Sequence, residues 1–248
     1  MIHVKTSQID SLLKVLELMF FPSFCKLCGQ LLDSEGEKVV CTSCLKGLKY
    51  RRSSYCLCCG RFFDTYGDPH LCYKCLEKKP VFSLHRSCSV YREKLKDLIL
   101  LFKYRKYKVL GKELAAYMYR SLVQDEALWW DLEAVVPVPL HKARKRKRGF
   151  NQSYELARYI ADSKGLELME KALIKKVNVA PQTSLPAEQR KINNKGAYEV
   201  VEPQKIKGKT LLLVDDVYTT GATVSECSSV LLKSGAKEVR VVTLAQAT

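Results

Sequence analysis

Four things are scarce in this chain of 248 residues. No apolar stretch approaches the roughly 20 residues that a membrane-spanning helix needs, so no membrane span is expected. Export signals are missing as well. Residues 11–21 are apolar, but Lys14 and Glu17 interrupt them and no cleavage-site pattern follows. A cytoplasmic location is therefore expected, and a secreted disulfide scaffold is not. Acidic side chains are outnumbered, 26 against 42 lysines and arginines, which leaves a formal net charge of +16. That balance favours anionic partners, either phosphorylated metabolites or nucleic acid, although a lysine-rich surface also serves solubility. Core-forming residues are sparse over residues 25–79, so this region needs another source of stability.

Cysteine supplies that source. Eight of the eleven cysteines fall in four C-x-x-C pairs, Cys25/Cys28, Cys41/Cys44, Cys56/Cys59 and Cys72/Cys75. Each cysteine of the first two pairs recurs 31 residues later, and Gly29 recurs as Gly60. This is a tandem repeat of two zinc ribbons. The short bite lets two thiolates on one turn reach a single ion at about 2.3 Å, and two such turns complete a tetrahedron. Two structural zinc ions are expected, one on Cys25, Cys28, Cys41 and Cys44, the other on Cys56, Cys59, Cys72 and Cys75. Four thiolates close the coordination sphere and leave no position for a catalytic water. Cys58 interrupts the pattern and reads as a bystander. Cys88 and Cys227 receive no role.

The densest chemistry lies at Leu211–Thr223, Leu-Leu-Leu-Val-Asp-Asp-Val-Tyr-Thr-Thr-Gly-Ala-Thr. An apolar strand ends in Asp215 and Asp216. A hydroxyl-rich turn around Gly221 follows, then a helical pattern over Val224–Ser234. The turn's N–H groups and the helix N-terminus suit a phosphate, with Thr219, Thr220 and Thr223 adding donors. The carboxylates would repel that phosphate. They suit sugar hydroxyls or a magnesium ion. The ligand expected here carries both a phosphate and a polyol.

Hydrophobic period organises the rest. Ile9–Phe20 carries apolar residues at helical spacing and ends before Pro22. Helices are predicted over Lys94–Phe102, Leu110–Val123 and Ser153–Lys164. Strands are predicted over Ser87–Tyr91, Ala134–Val138, Leu211–Val214 and Val239–Leu244. Continuous apolar strands alternating with helices mean a parallel α/β sheet, whose ligands sit at the carboxyl ends of the strands. A loop following the strand at Ala134 holds six cations in eight residues, Lys142, Arg144, Lys145, Arg146, Lys147 and Arg148. This run suits a pyrophosphate or a nucleic-acid backbone, and Phe150 and Tyr154 beside it are candidate base-stacking rings, with Tyr154 equally a candidate for the inward face of the helix over Ser153–Lys164. The polar segment 178–198 reads as a flap.

Leu211–Thr223 resembles the loop of type I phosphoribosyltransferases that binds 5-phosphoribosyl-1-pyrophosphate (PRPP). The order of motifs narrows the likeness. Tandem C-x-x-C ribbons precede Phe102-Lys103-Tyr104-Arg105, Val-Pro-Val-Pro-Leu at 136–140, Arg148-Gly149-Phe150-Asn151-Gln152 and the Asp-Asp loop. That order resembles the ComF family of competence proteins, the ComFC-type group. The resemblance implies a type I phosphoribosyltransferase fold at 80–248, a double zinc ribbon at 25–79 and an N-terminal amphipathic helix at 1–24. It implies that Asp215 and Asp216 hold the ribose hydroxyls as catalytic groups. Thr219, Thr220, Gly221, Ala222 and Thr223 would wrap the 5-phosphate, and Val138, Pro139 and Leu140 would begin the pyrophosphate loop. Gln182, Arg190 and Asn193 would belong to a flexible loop closing over PRPP and magnesium. Two functions stay open. One is a role in natural transformation, binding PRPP and single-stranded DNA in the cytoplasm beside a helicase-like ComF partner. The other is a salvage phosphoribosyltransferase, a glycosyltransferase with an unassigned acceptor.

Overall fold

The computed structural model describes residues 22–32, 38–50, 54–64, 67–177 and 196–247. The helix expected over Ile9–Phe20 lies outside the described residues, as do Gln182, Arg190 and Asn193 of the expected flexible loop. The chain divides into two compact units, Met1–Leu48 and Lys49–Thr248.

In the first unit a tight turn at Cys25–Gly29 is closed by Gly29 N–H donating to the Cys25 carbonyl at 2.9 Å. A Phe24–Leu31 bridge flanks it, and helix α1 (Thr42–Lys46) follows. Leu32, Val39, Val40 and Leu48 are buried there beside Cys25, Cys41 and Cys44. Among the described residues of this unit, so few apolar side chains give too small a core to fold without a cross-link.

The second unit opens on the same plan. Gly60 N–H donates to the Cys56 carbonyl at 2.9 Å, a Tyr55–Phe62 bridge flanks the turn, and helix α2 (Tyr73–Glu77) follows. The chain then alternates strand and helix. Strand β1 (Leu84–Val90) leads to helices α3 (Glu93–Tyr104), α4 (Leu110–Leu122) and α5 (Glu126–Trp129). Strand β2 (Ala134–Pro137) leads to α6 (Lys142–Arg148) and α7 (Gln152–Lys164). After β3 (Glu167–Leu168) comes an antiparallel hairpin of β4 (Leu173–Lys175) and β5 (Tyr198–Val200), then α8 (Pro203–Ile206). Strand β6 (Thr210–Tyr218), helix α9 (Ala222–Lys233) and strand β7 (Glu238–Gln246) complete it.

Five strands form one parallel sheet in the order β1-β7-β6-β2-β3. Successive side chains of a strand leave on opposite faces. Leu211 and Leu213 of β6 pack with Val224, Cys227 and Leu231 of α9 and with Tyr198 and Val200 of β5. Leu212 and Val214 leave on the other face, where α7 packs against β2, β6 and α4. Both faces are covered, which is why these strands read as unbroken apolar runs.

Two local expectations give way. The basic stretch after β2 is not a loop but helix α6. His141 Nδ1 accepts from Ala143 N–H at its start, and Gly149 in the left-handed conformation ends it. Lys and Arg are good helix formers, and cations in the last turn complement the helix dipole. Phe150 is not available for stacking. It is buried, its ring 5.2 Å from that of Phe102, because it plugs the gap between α3 and the start of α7.

Candidate functional site

The carboxyl end of β6 gathers the acidic pair. The sequence reading ends this strand at Val214. In the structure β7 continues to offer it a partner, so Asp215, Val217 and Tyr218 stay in register with Thr243, Ala245 and Gln246. A paired neighbour outweighs the poor strand propensity of aspartate. Adjacent on one strand, the two carboxylates splay apart. Asp216 is buried, and Lys103 at the end of α3 brings Nζ to 2.6 Å from its Oδ1. Asp215 lies on the side of Leu213. Its Oδ1 accepts from Ser153 Oγ and from the Asp216 N–H, both at 2.9 Å. Burial, and then the Asp216 charge, push the Asp215 carboxyl up to about 7.

The turn after β6 is short. Gly221 has φ of 75°, and a Cβ there would run into the hydroxyl of Tyr218, so the position requires glycine. Helix α9 starts at Ala222 with no side-chain cap from Gly221. Its first N–H groups therefore face the turn, with the Thr220 hydroxyl accepting only a long 3.4 Å bond from Ala222 N–H. Thr219 is exposed, and Thr220 and Thr223 are half-buried.

The neighbouring strand β2 delivers the cations. Val138 N–H donates to the Val214 carbonyl at 2.9 Å, and the Val138 carbonyl accepts from Asn151 Nδ2 at 3.0 Å. Those bonds fix Val138, Pro139 and Leu140 between β6 and the start of α7. Helical period then sorts the basic run. Arg144 and Arg148, one turn apart, are partly covered. Arg148 donates to Gln152 Oε1 at 3.0 Å and lies 5.2 Å over the Tyr104 ring. Arg144 sits within electrostatic reach of Tyr198, and burial followed by the Arg148 charge lowers its proton affinity. Lys142, Lys145, Arg146 and Lys147 are exposed, with Lys145 3.6 Å from Glu170.

The hairpin adds a third wall. Lys175 Nζ donates to Tyr198 Oη at 3.0 Å, and burial followed by the Arg144 charge lowers its proton affinity. Gly196 N–H donates to Glu226 Oε1 at 2.8 Å, which ties the hairpin end to α9. Lys175 and Tyr198 thus lie within electrostatic reach of both Arg144 and Asp215, and Tyr198 bonds Thr223 beside the Gly221 turn, while Asp216 is held by Lys103. Sequence reasoning gave no role to Lys103, Ser153 or Lys175. Lys103 and Ser153 reach the acidic pair from distant parts of the chain, and Lys175 stands on the hairpin itself, where no local pattern marks it. Helix period within 142–148 was the signal that could have singled out Arg144 and Arg148.

The cysteines form two sets among the described residues, Cys25, Cys28, Cys41 and Cys44, and Cys56, Cys59, Cys72 and Cys75. The sulfurs of each set lie within 4.8 Å of one another. The Cys28–Cys41 and Cys59–Cys72 sulfur separations are 3.6 and 3.7 Å. A tetrahedron of thiolates around zinc needs about 3.8 Å, from Zn–S bonds of about 2.3 Å. Both sets fit a closed, structural zinc. Cys58 stands outside them. It is buried, with its thiol 3.6 Å from the Ser83 carbonyl.

Comparison with known proteins assigns the cysteine sets and the acidic pair to two different family models. A double zinc ribbon family model matches residues 16–89, and a phosphoribosyl transferase domain model matches residues 136–248. "Competence protein F" of Haemophilus influenzae is 32% identical over 161 residues, 63% of this chain and 70% of that protein. "DNA utilization protein YhgH" of Salmonella typhimurium is 33% identical over 171 residues, covering 66% and 73%. "Competence protein ComFC" of Streptococcus pneumoniae is 30% identical over 175 residues, covering 67% and 70%. Among the described residues, no helix is long and apolar enough to cross a membrane.

Proposed function

We propose a function for this chain starting from its family: it belongs to the ComF family of competence proteins. The names of its relatives support a role in competence. Within that role, the chain binds PRPP with magnesium at the carboxyl ends of β2 and β6, and single-stranded DNA on the outer face of α6. It does so in the cytoplasm during natural transformation, beside a helicase-like partner.

The sorting of α6 carries this reading. Two arginines, Arg144 and Arg148, are partly covered against Tyr104, Gln152 and the Tyr198 side, while four cations turn to solvent, so one helix can serve two anions. The Gly221 turn and the first N–H groups of α9 take the 5-phosphate. Asp215 and Asp216 accept from the ribose hydroxyls and favour positive charge developing at C1. Arg144 and Arg148 meet the pyrophosphate as it departs with the C1–O electron pair. Magnesium, when bound with PRPP, neutralises the leaving group. Transfer to an acceptor is the enzymatic extension of the same site.

Calorimetry with PRPP and magnesium tests it. Asp215→Ala combined with Asp216→Ala abolishes binding, each carboxylate contributing on the order of 1.5–3 kcal/mol. Arg144→Gln with Arg148→Gln weakens PRPP and leaves oligothymidine binding nearly intact. Neutralising Lys145, Arg146 and Lys147 does the reverse, flattening the log–log salt dependence of oligothymidine binding by up to about two units. Unchanged PRPP affinity in the folded double aspartate variant refutes the sugar-phosphate assignment. An unchanged salt slope in the triple variant refutes the DNA assignment.

A further inference from the structure

The wall beneath the Gly221 turn is built by the second cysteine cluster. Tyr218 is the last residue of β6, and its hydroxyl fills the space where a Gly221 side chain would stand. Its ring stacks on His85 of β1, with centroids 4.2 Å apart and planes at 17°. Phe82 meets the same ring edge-on at 6.4 Å. His85 in turn is fully buried and held at three points. Its backbone N–H donates to the Cys58 carbonyl at 2.7 Å, its Nδ1 lies 2.8 Å from the Cys59 carbonyl, and its Nε2 lies 2.9 Å from Thr243 Oγ1. A carbonyl only accepts, so Nδ1 carries the proton and Nε2 accepts from the threonine hydroxyl.

Two of those three partners, Cys58 and Cys59, belong to the turn that presents Cys56 and Cys59 to the metal. The turn is pressed onto β1. Gly60 has φ of 64°, and a Cβ there would collide with the His85 carbonyl. A continuous run of contacts therefore leads from the Cys56–Gly60 turn through His85 and Tyr218 to Gly221.

We infer that His85 is a positioning residue through which the metal state of the second cluster sets the order of the Gly221 turn, and so its affinity for a phosphorylated ligand. With zinc bound, the Cys58 and Cys59 carbonyls are fixed and His85 holds Tyr218 flat beneath the turn. Loss of the metal frees the thiolates and the turn that carries them. His85 then loses two anchors, Tyr218 loses its stacking partner, and the Gly221 turn loses its floor. Every residue of this run belongs to the second unit, and the first cluster, which belongs to the other unit, serves as an internal control. For the ligand, this inference rests on the phosphate reading of the turn. For the coupling it rests on geometry alone.

The test uses the full chain and two readouts, hydrogen exchange of a peptide spanning 215–223 and calorimetric affinity for PRPP with magnesium. Cys72→Ser removes the second zinc by elemental analysis. Exchange at 218–223 then rises at least tenfold, and PRPP affinity falls at least tenfold. Cys41→Ser removes the first zinc, and both readouts stay within about twofold of wild type. His85→Phe keeps the stacked ring but not the polar links to Cys59 and Thr243. In that variant, chelation no longer changes exchange at 218–223, and this arm decides the matter if Cys72→Ser does not fold. Unchanged exchange at 218–223 after loss of the second zinc overturns the inference, as does equal sensitivity to loss of either zinc. If the wild-type chain fails to bind PRPP, the phosphate reading falls, while the exchange arm still reports the coupling.

Discussion

In the first cluster Cys41 N–H donates to Cys25 Sγ at 3.3 Å, and in the second Cys72 N–H donates to Cys56 Sγ at 3.3 Å. Cys25 N–H reaches the Gln30 carbonyl at 2.8 Å, and Cys56 N–H reaches the Arg61 carbonyl at 2.8 Å. Bond for bond the two turns are copies. They differ in what surrounds them. Around Gly29 there is open space, whereas the matching Gly60 meets the backbone of His85. Where the first copy has Leu32 and Val39, the second has Phe63 and His70, whose rings stack at 4.2 Å. A repeat can keep its metal chemistry fixed while its outer residues decide what the metal holds together. In one copy the metal closes a small unit. In the other it also braces a sheet.

The glycines give the sharpest way to break this comparison. Gly29→Ala meets only the left-handed backbone penalty, about 1–2 kcal/mol. Gly60→Ala meets that penalty and an overpacking cost of about 1–3 kcal/mol against His85. Both tryptophans, Trp129 and Trp130, lie in the second unit. Tryptophan-monitored denaturant unfolding should therefore shift for Gly60→Ala and not for Gly29→Ala. Equal shifts would undo the distinction.

A pH series separates the acidic pair from the thiolate clusters by sign. The Asp215 carboxyl is raised from 3.8 to about 7 in the fold, so the fold binds its proton more tightly than the unfolded chain does. The stability this lends is complete below about 4 and is lost as pH climbs to about 7. Zinc held by thiolates behaves oppositely and is released as pH falls. Asp215→Asn should thus gain on wild type as pH rises from 5 to 7.5 in tryptophan-monitored melts. Zinc release from the first cluster, followed with a chromogenic chelator, should increase toward pH 5 and be the same in both proteins.

The smallest expected effect comes from the stacked pair of the second copy. Phe63→Leu installs the type of residue the first copy carries. It should cost about 0.5–1.5 kcal/mol, the usual worth of an aromatic pair beyond its buried area, with zinc content unchanged at two per chain. A loss of zinc on this substitution would mean that the ring pair, and not the thiolates alone, holds the metal site.

What was legible in the sequence was local. The C-x-x-C pairs, the Asp-Asp pair and the Gly221 turn are each written within a few consecutive residues, and chemistry at that range survives folding unchanged. The Lys103–Asp216 ion pair and the His85–Tyr218 stack join residues more than a hundred positions apart, and nothing near either partner announces the other. Phe150 misled for a related reason. An aromatic beside a basic run reads equally as a stacking ring or as core, and only the approach of Phe102 decides it. The apolar run marked the strand only to Val214, with the acidic pair at its end, whereas pairing with β7 carries the strand on to Tyr218.

Strand β1 lies at the margin of the sheet, with β7 on one side only. Such a margin offers unpaired amides as a template for another chain. Here the Cys56–Gly60 turn occupies part of it. The Cys58 carbonyl takes the His85 N–H, and the Leu57 carbonyl accepts from the Arg86 guanidinium at 3.0 Å. The second zinc ribbon thus acts as a stopper on a sticky border. A chain stripped of that zinc should reveal the damage first as self-association through β1, before the sheet itself comes apart.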